Sequence, residues 1–225
     1  MGVTTIDLAG VQRLIARDAQ LVEVLPAEEY QELHLPDAVS IPLTQLDAVS
    51  ARQLDADRDV VVYCWDALCD MSPRAASRLA TLGFSRVYDY AAGKVDWLAH
   101  GLPVEGTEAA RPTAGSLARE DAAICRLESS VGDALRAIGD SPYGFALVLG
   151  PGGVLLGRIR RSALEKAAGD TPIESLLESG PSTLRPHVTA EELHQRLERS
   201  EVRTFIVTRP DGTLFGVVRR SDIPE

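Results

Sequence analysis

Short apolar, β-rich runs alternate with helical stretches over the first hundred residues, and a different pattern, repeated once, follows them. The runs at 21–25, 39–41, 59–64 and 86–88 read as strands, of which Val60-Val61-Val62-Tyr63-Cys64 is the most apolar. The stretches at 11–17, 27–32, 74–82 and 94–100 read as helices. A strand apolar at consecutive positions is buried on both faces. Strands alternating with helices therefore predict a mostly parallel sheet covered on both sides. Ligands of such sheets bind beyond the carboxyl ends of the strands.

The second block carries an internal repeat. Residues 145–164 align without a gap on residues 204–223, an offset of 59 residues that carries Phe145 onto Thr204. Pro151 and Pro210, Gly153 and Gly212, Gly157 and Gly216, and the Arg160-Arg161-Ser162 and Arg219-Arg220-Ser221 triplets coincide. Each copy reads as a strand, a Pro-Gly-Gly or Pro-Asp-Gly turn and a second strand. Amphipathic helices are predicted upstream, at 131–138 and 190–199. Two copies of one unit predict a pseudo-symmetric module whose halves bury each other's sheets. Residues 104–120, poor in apolar side chains and containing Gly, Pro, Thr and Ser, form the candidate linker. The expected division is a domain at 1–105, a linker at 106–118, and a module at 119–225 split into copies at about 119–168 and 169–225.

Composition narrows the function classes. The 225 residues suffice for two domains, and 45% apolar content is ordinary for a globular chain. A formal charge of −10 argues against nucleic acid or an anionic membrane surface as the main partner. No apolar run approaches the roughly 20 residues needed to span a bilayer, and residues 1–10 lack a secretory pattern. Three cysteines are too few for a disulfide framework and suit a reducing compartment, so the expected location is the cytoplasm. Lysine occurs only at 94 and 166, which we read as base composition.

The candidate chemistry centres on Cys69-Asp70-Met71-Ser72-Pro73-Arg74, a Cys-x4-Arg loop between the most apolar strand and a helix. Ser72 suits the N-cap, Pro73 the first helical position and Gly83 the C′ stop. A strand–loop–helix junction aims backbone N–H groups at one point, where they and the helix dipole stabilise a thiolate. Cys69 is thus the candidate nucleophile and Arg74 the candidate anion-holding group. Cys64, at the strand end, reads as a buried small hydrophobe, as the nucleophile in place of Cys69, or as its resolving partner. Asp66 and Asp70 oppose a thiolate and repel anionic substrates. His34 is expected to fix the turn before Pro36, Trp65 and Trp97 to pack, and Cys125 to be core. His100, His187 and His194 show no metal-ligand spacing, so no metal site is expected.

The first block resembles a rhodanese-like domain. The resemblance rests on residues 21–30, on His34-Leu35-Pro36-Asp37-Ala38 followed by Ile41-Pro42-Leu43, on the strand and loop just described, and on Gly93-Lys94-Val95-Asp96-Trp97. It implies a sulfurtransferase whose loop cysteine carries a persulfide cradled by the loop backbone. Leu25 stands where that family usually has arginine, which removes a familiar ion pair with Glu23. The shorter family loop places its cysteine directly after the strand, a position that nominates Cys64.

The second block resembles a tandem CBS pair, through Gly157-Arg158-Ile159-Arg160-Arg161-Ser162-Ala163, Gly216-Val217-Val218-Arg219-Arg220-Ser221-Asp222 and residues 181–186. The resemblance implies an adenosine nucleotide as ligand and a homodimer. Asp222 keeps the position that holds ribose hydroxyls, whereas Ala163 has lost it. Arg160 and Arg219 stand where hydroxyls would approach phosphate, so one nucleotide site is expected.

The expected fold is thus an α/β rhodanese-like parallel sheet with helices on both faces, followed by an α+β tandem CBS pair. The resemblance implies a sulfurtransferase that needs no cofactor, takes sulfur from a protein or small-molecule persulfide donor and passes it to a thiol acceptor. The alternative is a non-catalytic regulatory or redox-sensing protein on an inactive rhodanese-like scaffold.

Overall fold

The computed structural model describes residues 3–139, 141–169, 171–199 and 202–224, and divides the chain into units at 1–111 and 112–225. The division falls inside the stretch expected as linker, but that stretch is not loose. The Thr107 and Glu108 amides bond to the carbonyls of Gln31 and Glu32 in the first unit. Ala114 and Gly115 bond to Val188 and Pro186 in the second.

The first unit is one parallel sheet. Its strands are β1 (Thr4–Thr5), β2 (Gln20–Glu23), β3 (Val39–Ser40), β4 (Val60–Tyr63) and β5 (Val87–Tyr90), in the order β1-β5-β4-β2-β3. The helices are α1 (Leu8–Ile15), α2 (Ala27–Glu32), α3 (Met71–Thr81) and α4 (Gly93–Ala99). Helix α1 starts three residues earlier than the periodicity predicts, because the Asp7 carboxylate caps it by accepting from the Gly10 amide. The central strand β4 is buried throughout, and its side chains divide by parity. Val60 and Val62, with Cys64 beyond the strand, pack with Ala75, Ala76 and Leu79 of α3. Val61 and Tyr63 pack on the other face with Val11 and Leu14 of α1 and Trp97 of α4. That parity puts Cys64 on the α3 side of the sheet.

A buried ion pair ties this unit together near the carboxyl end of β4. Lys94 and Glu23 are both fully buried, with Nζ 2.7 Å from Glu23 Oε1. The ammonium also donates to the carbonyls of Leu33 and Glu29, so its three protons have three acceptors. The sequence left Glu23 without its familiar arginine; a lysine 71 residues away takes that place. Burial pushes the Glu23 carboxyl up, and the opposing pull of Lys94 helps keep it charged. Next to Lys94, Gly93 adopts φ +67°, and a Cβ there would lie 2.7 Å from the Cys64 carbonyl oxygen. The Lys94 and Val95 amides donate to the Cys64 and Trp65 carbonyls, each at 2.9 Å. The start of α4 thereby holds the start of the loop.

The second unit is built from the predicted repeat. Copy one has β6 (Ala123–Cys125), β7 (Phe145–Leu149) and β8 (Leu155–Arg160), and β9 (Glu178–Ser179), from the start of copy two, completes their sheet. Copy two has β10 (Thr183–Leu184), β11 (Thr204–Thr208) and β12 (Leu214–Arg219) in another. Helix α5 (Ala114–Leu117) precedes both copies. Helices α6 (Val131–Ile138) and α7 (Arg161–Leu164) belong to copy one and α8 (Ala190–Glu198) to copy two. The repeat extends to details: both hairpins shift register at equivalent places, between Val148 and Leu149 and between Val207 and Thr208. Helices α6 and α8 both open with a capping box, Ser130 with Asp133 and Thr189 with Glu192. Phe145 and Leu147 of one hairpin pack with Ile206 and Val217 of the other, which closes the joint core.

Lys94→Met is expected to cost about 3–5 kcal/mol of stability at neutral pH in urea unfolding, because it strands the Glu23 charge in the interior. Burial raises the Glu23 carboxyl and loss of Lys94 removes the main opposing pull, so the variant should regain stability as the pH falls and the carboxyl takes up a proton. A loss independent of pH would contradict this account.

Candidate functional site

The loop after β4 begins at Cys64, fully buried at the strand end, and climbs through exposed Trp65 and Leu68 to half-buried Cys69. Its turn is fixed by Asp66. One carboxylate oxygen of Asp66 accepts the Leu68 amide at 2.9 Å and the Cys69 amide at 3.1 Å. The loop gathers two backbone N–H groups at one point, but it is an acidic side chain of the loop itself, not a sulfur, that occupies that point. Asp66 is more than a nearby repelling charge.

Helix α3 starts two residues earlier than expected, with Asp70 rather than Ser72 at the N-cap and no side-chain cap bond. Ser72 lies in the first turn instead, fully buried, with its Oγ 3.4 Å from Cys64 Sγ. Gly83 follows the helix at φ +101°, the left-handed stop expected of it. Cys64 Sγ is also 3.5 Å from the Cys69 carbonyl oxygen. Burial, with the Cys69 side chain hydrogen-bonded beside it, pushes the Cys64 thiol up to about 11. Cys64 is therefore held as a neutral thiol at neutral pH, whereas Cys69 is the accessible sulfur. Arg74 lies on the exposed side of α3, its Nη1 3.5 Å from Asp70 Oδ1. It adds positive charge near the loop without contacting either sulfur.

The other singled-out residues are placed as follows. His34 stacks on Tyr30 and lies 3.4 Å from Glu105, joining the strap after α4 to the domain. Trp97 is buried and its indole donates to the Pro103 carbonyl, but Trp65 is substantially exposed, with its ring 5.6 Å from the Lys94 ammonium. Cys125 is core.

In the second unit Arg160 and Arg219, the two expected phosphate positions, are each engaged by a different carboxylate. Arg158 and Arg160 grip Glu178 of β9 at 2.7 and 2.6 Å, and these two pull the Glu178 carboxyl down. Arg161 donates to the Gly139 carbonyl. Asp222 is held bidentately by Arg119, at 2.8 and 3.0 Å, and by Arg219, at 3.1 and 3.3 Å. Burial opposes ionisation of Asp222, yet the two guanidinium groups bring its carboxyl to about 2. The 59-residue offset carries Arg119 onto Glu178, so the two copies use opposite charges at the same place. Beside Asp222 opens a cleft of about 1170 Å³, whose lining includes Arg203, Arg219, Arg220 and Ser221.

Comparison with known proteins places these features. A family model described as a rhodanese-like domain matches residues 8–100, and one described as a CBS domain matches residues 173–223. A sulfurtransferase of Allochromatium vinosum is 31% identical over 108 residues, covering 47% of this chain and 98% of that protein. The HTH-type transcriptional regulator Rv0324 of Mycobacterium tuberculosis is 40% identical over 95 residues, 42% of this chain. The match spans 41% of that regulator's length. Among solved structures, CBSX2 in complex with AMP superposes with a TM-score of 0.44 at 20% identity, over 50% of this chain and 92% of that one.

Asp66→Asn keeps an oxygen for the two amides and removes the charge. It is expected to raise the rate of Cys69 alkylation by anionic iodoacetate, relative to neutral iodoacetamide, by about threefold to tenfold at low ionic strength. The gain should shrink in high salt. An unchanged ratio would mean that Asp66 exerts no field at the sulfur.

Proposed function

The chain belongs to the rhodanese-like family and carries a CBS domain after its rhodanese-like domain, and from that premise we propose that it is a sulfurtransferase with Cys69 as the persulfide carrier. The observation that carries this reading is the convergence of the Leu68 and Cys69 amides on one anionic oxygen beside the accessible sulfur. Two N–H donors aimed at a carboxylate oxygen suit an anionic sulfur equally well once Asp66 turns outward. In the reaction, the Cys69 thiolate attacks the outer sulfur of a persulfide donor, the donor leaves as a thiol, and Cys69 holds the transferred sulfur. A thiol acceptor then attacks that sulfur and regenerates Cys69. Arg74 adds positive charge at the mouth of the loop, while Asp66 and Asp70 favour persulfides over the dianion thiosulfate. Three free cysteines fit work in a reducing compartment such as the cytoplasm.

We further propose that the cleft beside Asp222 takes an adenosine nucleotide, with its phosphates on Arg203, Arg219 and Arg220. Asp222 would share its carboxylate between the ribose and the arginines that now hold it. Arg160, engaged by Glu178, leaves copy one less suited to the same ligand.

Cyanide present while the protein is being loaded from a persulfide donor should intercept the Cys69 persulfide as thiocyanate, and Cys69→Ser should reduce the protein-dependent yield by at least about a hundredfold. Full yield from Cys69→Ser would move the nucleophile elsewhere, and no thiocyanate from either protein would favour the non-catalytic alternative. For the second unit, AMP, ADP or ATP at about 100 times its dissociation constant should stabilise the protein by about 2.7 kcal/mol, seen as a rise in Tm. Arg220→Ala should abolish that rise. No shift with any of the three nucleotides would remove the nucleotide proposal.

A further inference from the structure

Transfer through Cys69 uses one sulfur of the loop and leaves a second one without a task. Cys64 is fully buried at the strand end, its Sγ 3.5 Å from the Cys69 carbonyl oxygen and 3.4 Å from Ser72 Oγ. Asp89 of β5 pairs in register with Val62, on the α3 side of the sheet, and is only 3% exposed, with no hydrogen-bond partner for its Oδ1. Burial pushes the Asp89 carboxyl up, and the Ser72 hydroxyl beside it pulls the other way. An acidic side chain in the interior with an unsatisfied oxygen costs stability that an apolar residue would not. A purely structural sheet-to-helix contact has no need of a thiol, a hydroxyl and a carboxyl between the same sheet face and helix.

Building on the Cys69 persulfide, we propose that Cys64 is a resolving thiol that discharges that persulfide as hydrogen sulfide and closes a Cys64–Cys69 disulfide, with Asp89 accepting the Cys64 proton through Ser72. The proton of Cys64 passes to Ser72 Oγ as the Ser72 proton passes to Asp89. The Cys64 thiolate attacks Cys69 Sγ, the inner sulfur. The Sγ–S bond breaks and its electron pair leaves with hydrosulfide, which takes a proton from water or from Asp89. The outer sulfur is reduced to sulfide while the two cysteine sulfurs are oxidised to the disulfide. Two equivalents of a small thiol, or one dithiol, then reduce the disulfide and are themselves oxidised. The protein thereby gains an output that needs no acceptor at the moment of release. Ser72 and Asp89 act as positioning residues on Cys64.

The test is a single turnover in the full-length protein, without added thiol, after anaerobic treatment with a small-molecule persulfide and removal of excess donor. Released sulfide and intact mass are both followed. Wild type should release about one equivalent of sulfide and end about 2 Da below the reduced protein, the loss of two hydrogens to a disulfide. Cys64→Ser and, as a second variant, Cys64→Ala should hold an adduct of about 32 Da, one sulfur atom, and release no sulfide until thiol is added. Asp89→Asn should load sulfur normally and release sulfide about a hundredfold more slowly at neutral pH. Its deficit should narrow in alkali, where hydroxide replaces the lost acceptor. The groups facing Cys64 are Cys69 and Ser72, and Ser72 faces Asp89, so another titration does not account for such a profile. Wild type that keeps the adduct and releases nothing would overturn the resolving role while leaving the persulfide reading intact. Sulfide release at the wild-type rate from both Cys64 variants would overturn it as well. If neither wild type nor the Cys64 variants gained the adduct or lost the two hydrogens, the persulfide reading would fail and take this inference with it.

Discussion

The ammonium of Lys94 has no water to turn to, and its partners come from three other parts of the first unit: the Glu23 carboxylate of β2 and the carbonyls of Glu29 in α2 and Leu33 after it. Because a buried charge is tolerated only when every proton finds an acceptor, these segments must meet at one place. The same residue offers its backbone amide to the Cys64 carbonyl, next to a glycine whose neighbours leave no room for a Cβ. The position of the reactive loop is thus inherited from an ion pair in which neither cysteine takes part. A rigid anchor at the strand end allows a short loop to hold two sulfurs and an acidic side chain in fixed relation.

A common electrostatic motif runs through both units. At three places where donors gather that suit an anion, a carboxylate of the chain already fills the position. Asp66 caps the loop amides, Glu178 lies between Arg158 and Arg160, and Asp222 lies between Arg119 and Arg219. Each arrangement satisfies its donors and avoids the cost of leaving them unpaired. It also sets a threshold, because an incoming ligand must replace a charge-assisted hydrogen bond before it gains its own. In the loop the threshold opposes small doubly charged anions. In the second unit the swap of Arg119 for Glu178 at equivalent places makes two halves with the same backbone different in what they can bind.

Much of this architecture was legible in the sequence, for reasons that are local. The run Val60-Val61-Val62-Tyr63 could be read as a central strand because both faces of β4 are covered, and the 59-residue repeat reproduced even the register shifts of its hairpins. The compositional linker was read too loosely: low apolar content signals few core contacts, yet backbone hydrogen bonds and the burial of Ala114, with Leu117 and Ala118 packed beside it, fasten those residues. What escaped were pairings across long separations. Lys94 was dismissed as a matter of base composition, and nothing near it in the chain points to Glu23. Arg119 and Asp222 are 103 residues apart. Ser72 was assigned to the N-cap on local preference, but the Cys64 thiol on the facing strand end claims its hydroxyl. Asp66 was seen as a charge near the site, whereas its geometry as a turn-forming acceptor depended on the conformation of the loop.

The central claim is that anionic sulfur on Cys69 takes over the amides now held by Asp66. A high-resolution crystal structure of the Cys64→Ser protein, frozen after treatment with a persulfide, tests it most directly. The account predicts one added atom on Cys69 Sγ within hydrogen-bonding distance of the Leu68 and Cys69 amides, with the Asp66 side chain displaced toward solvent. An unmodified Cys69 with Asp66 still in place, after treatment that demonstrably delivers sulfur to an exposed thiol, would contradict it.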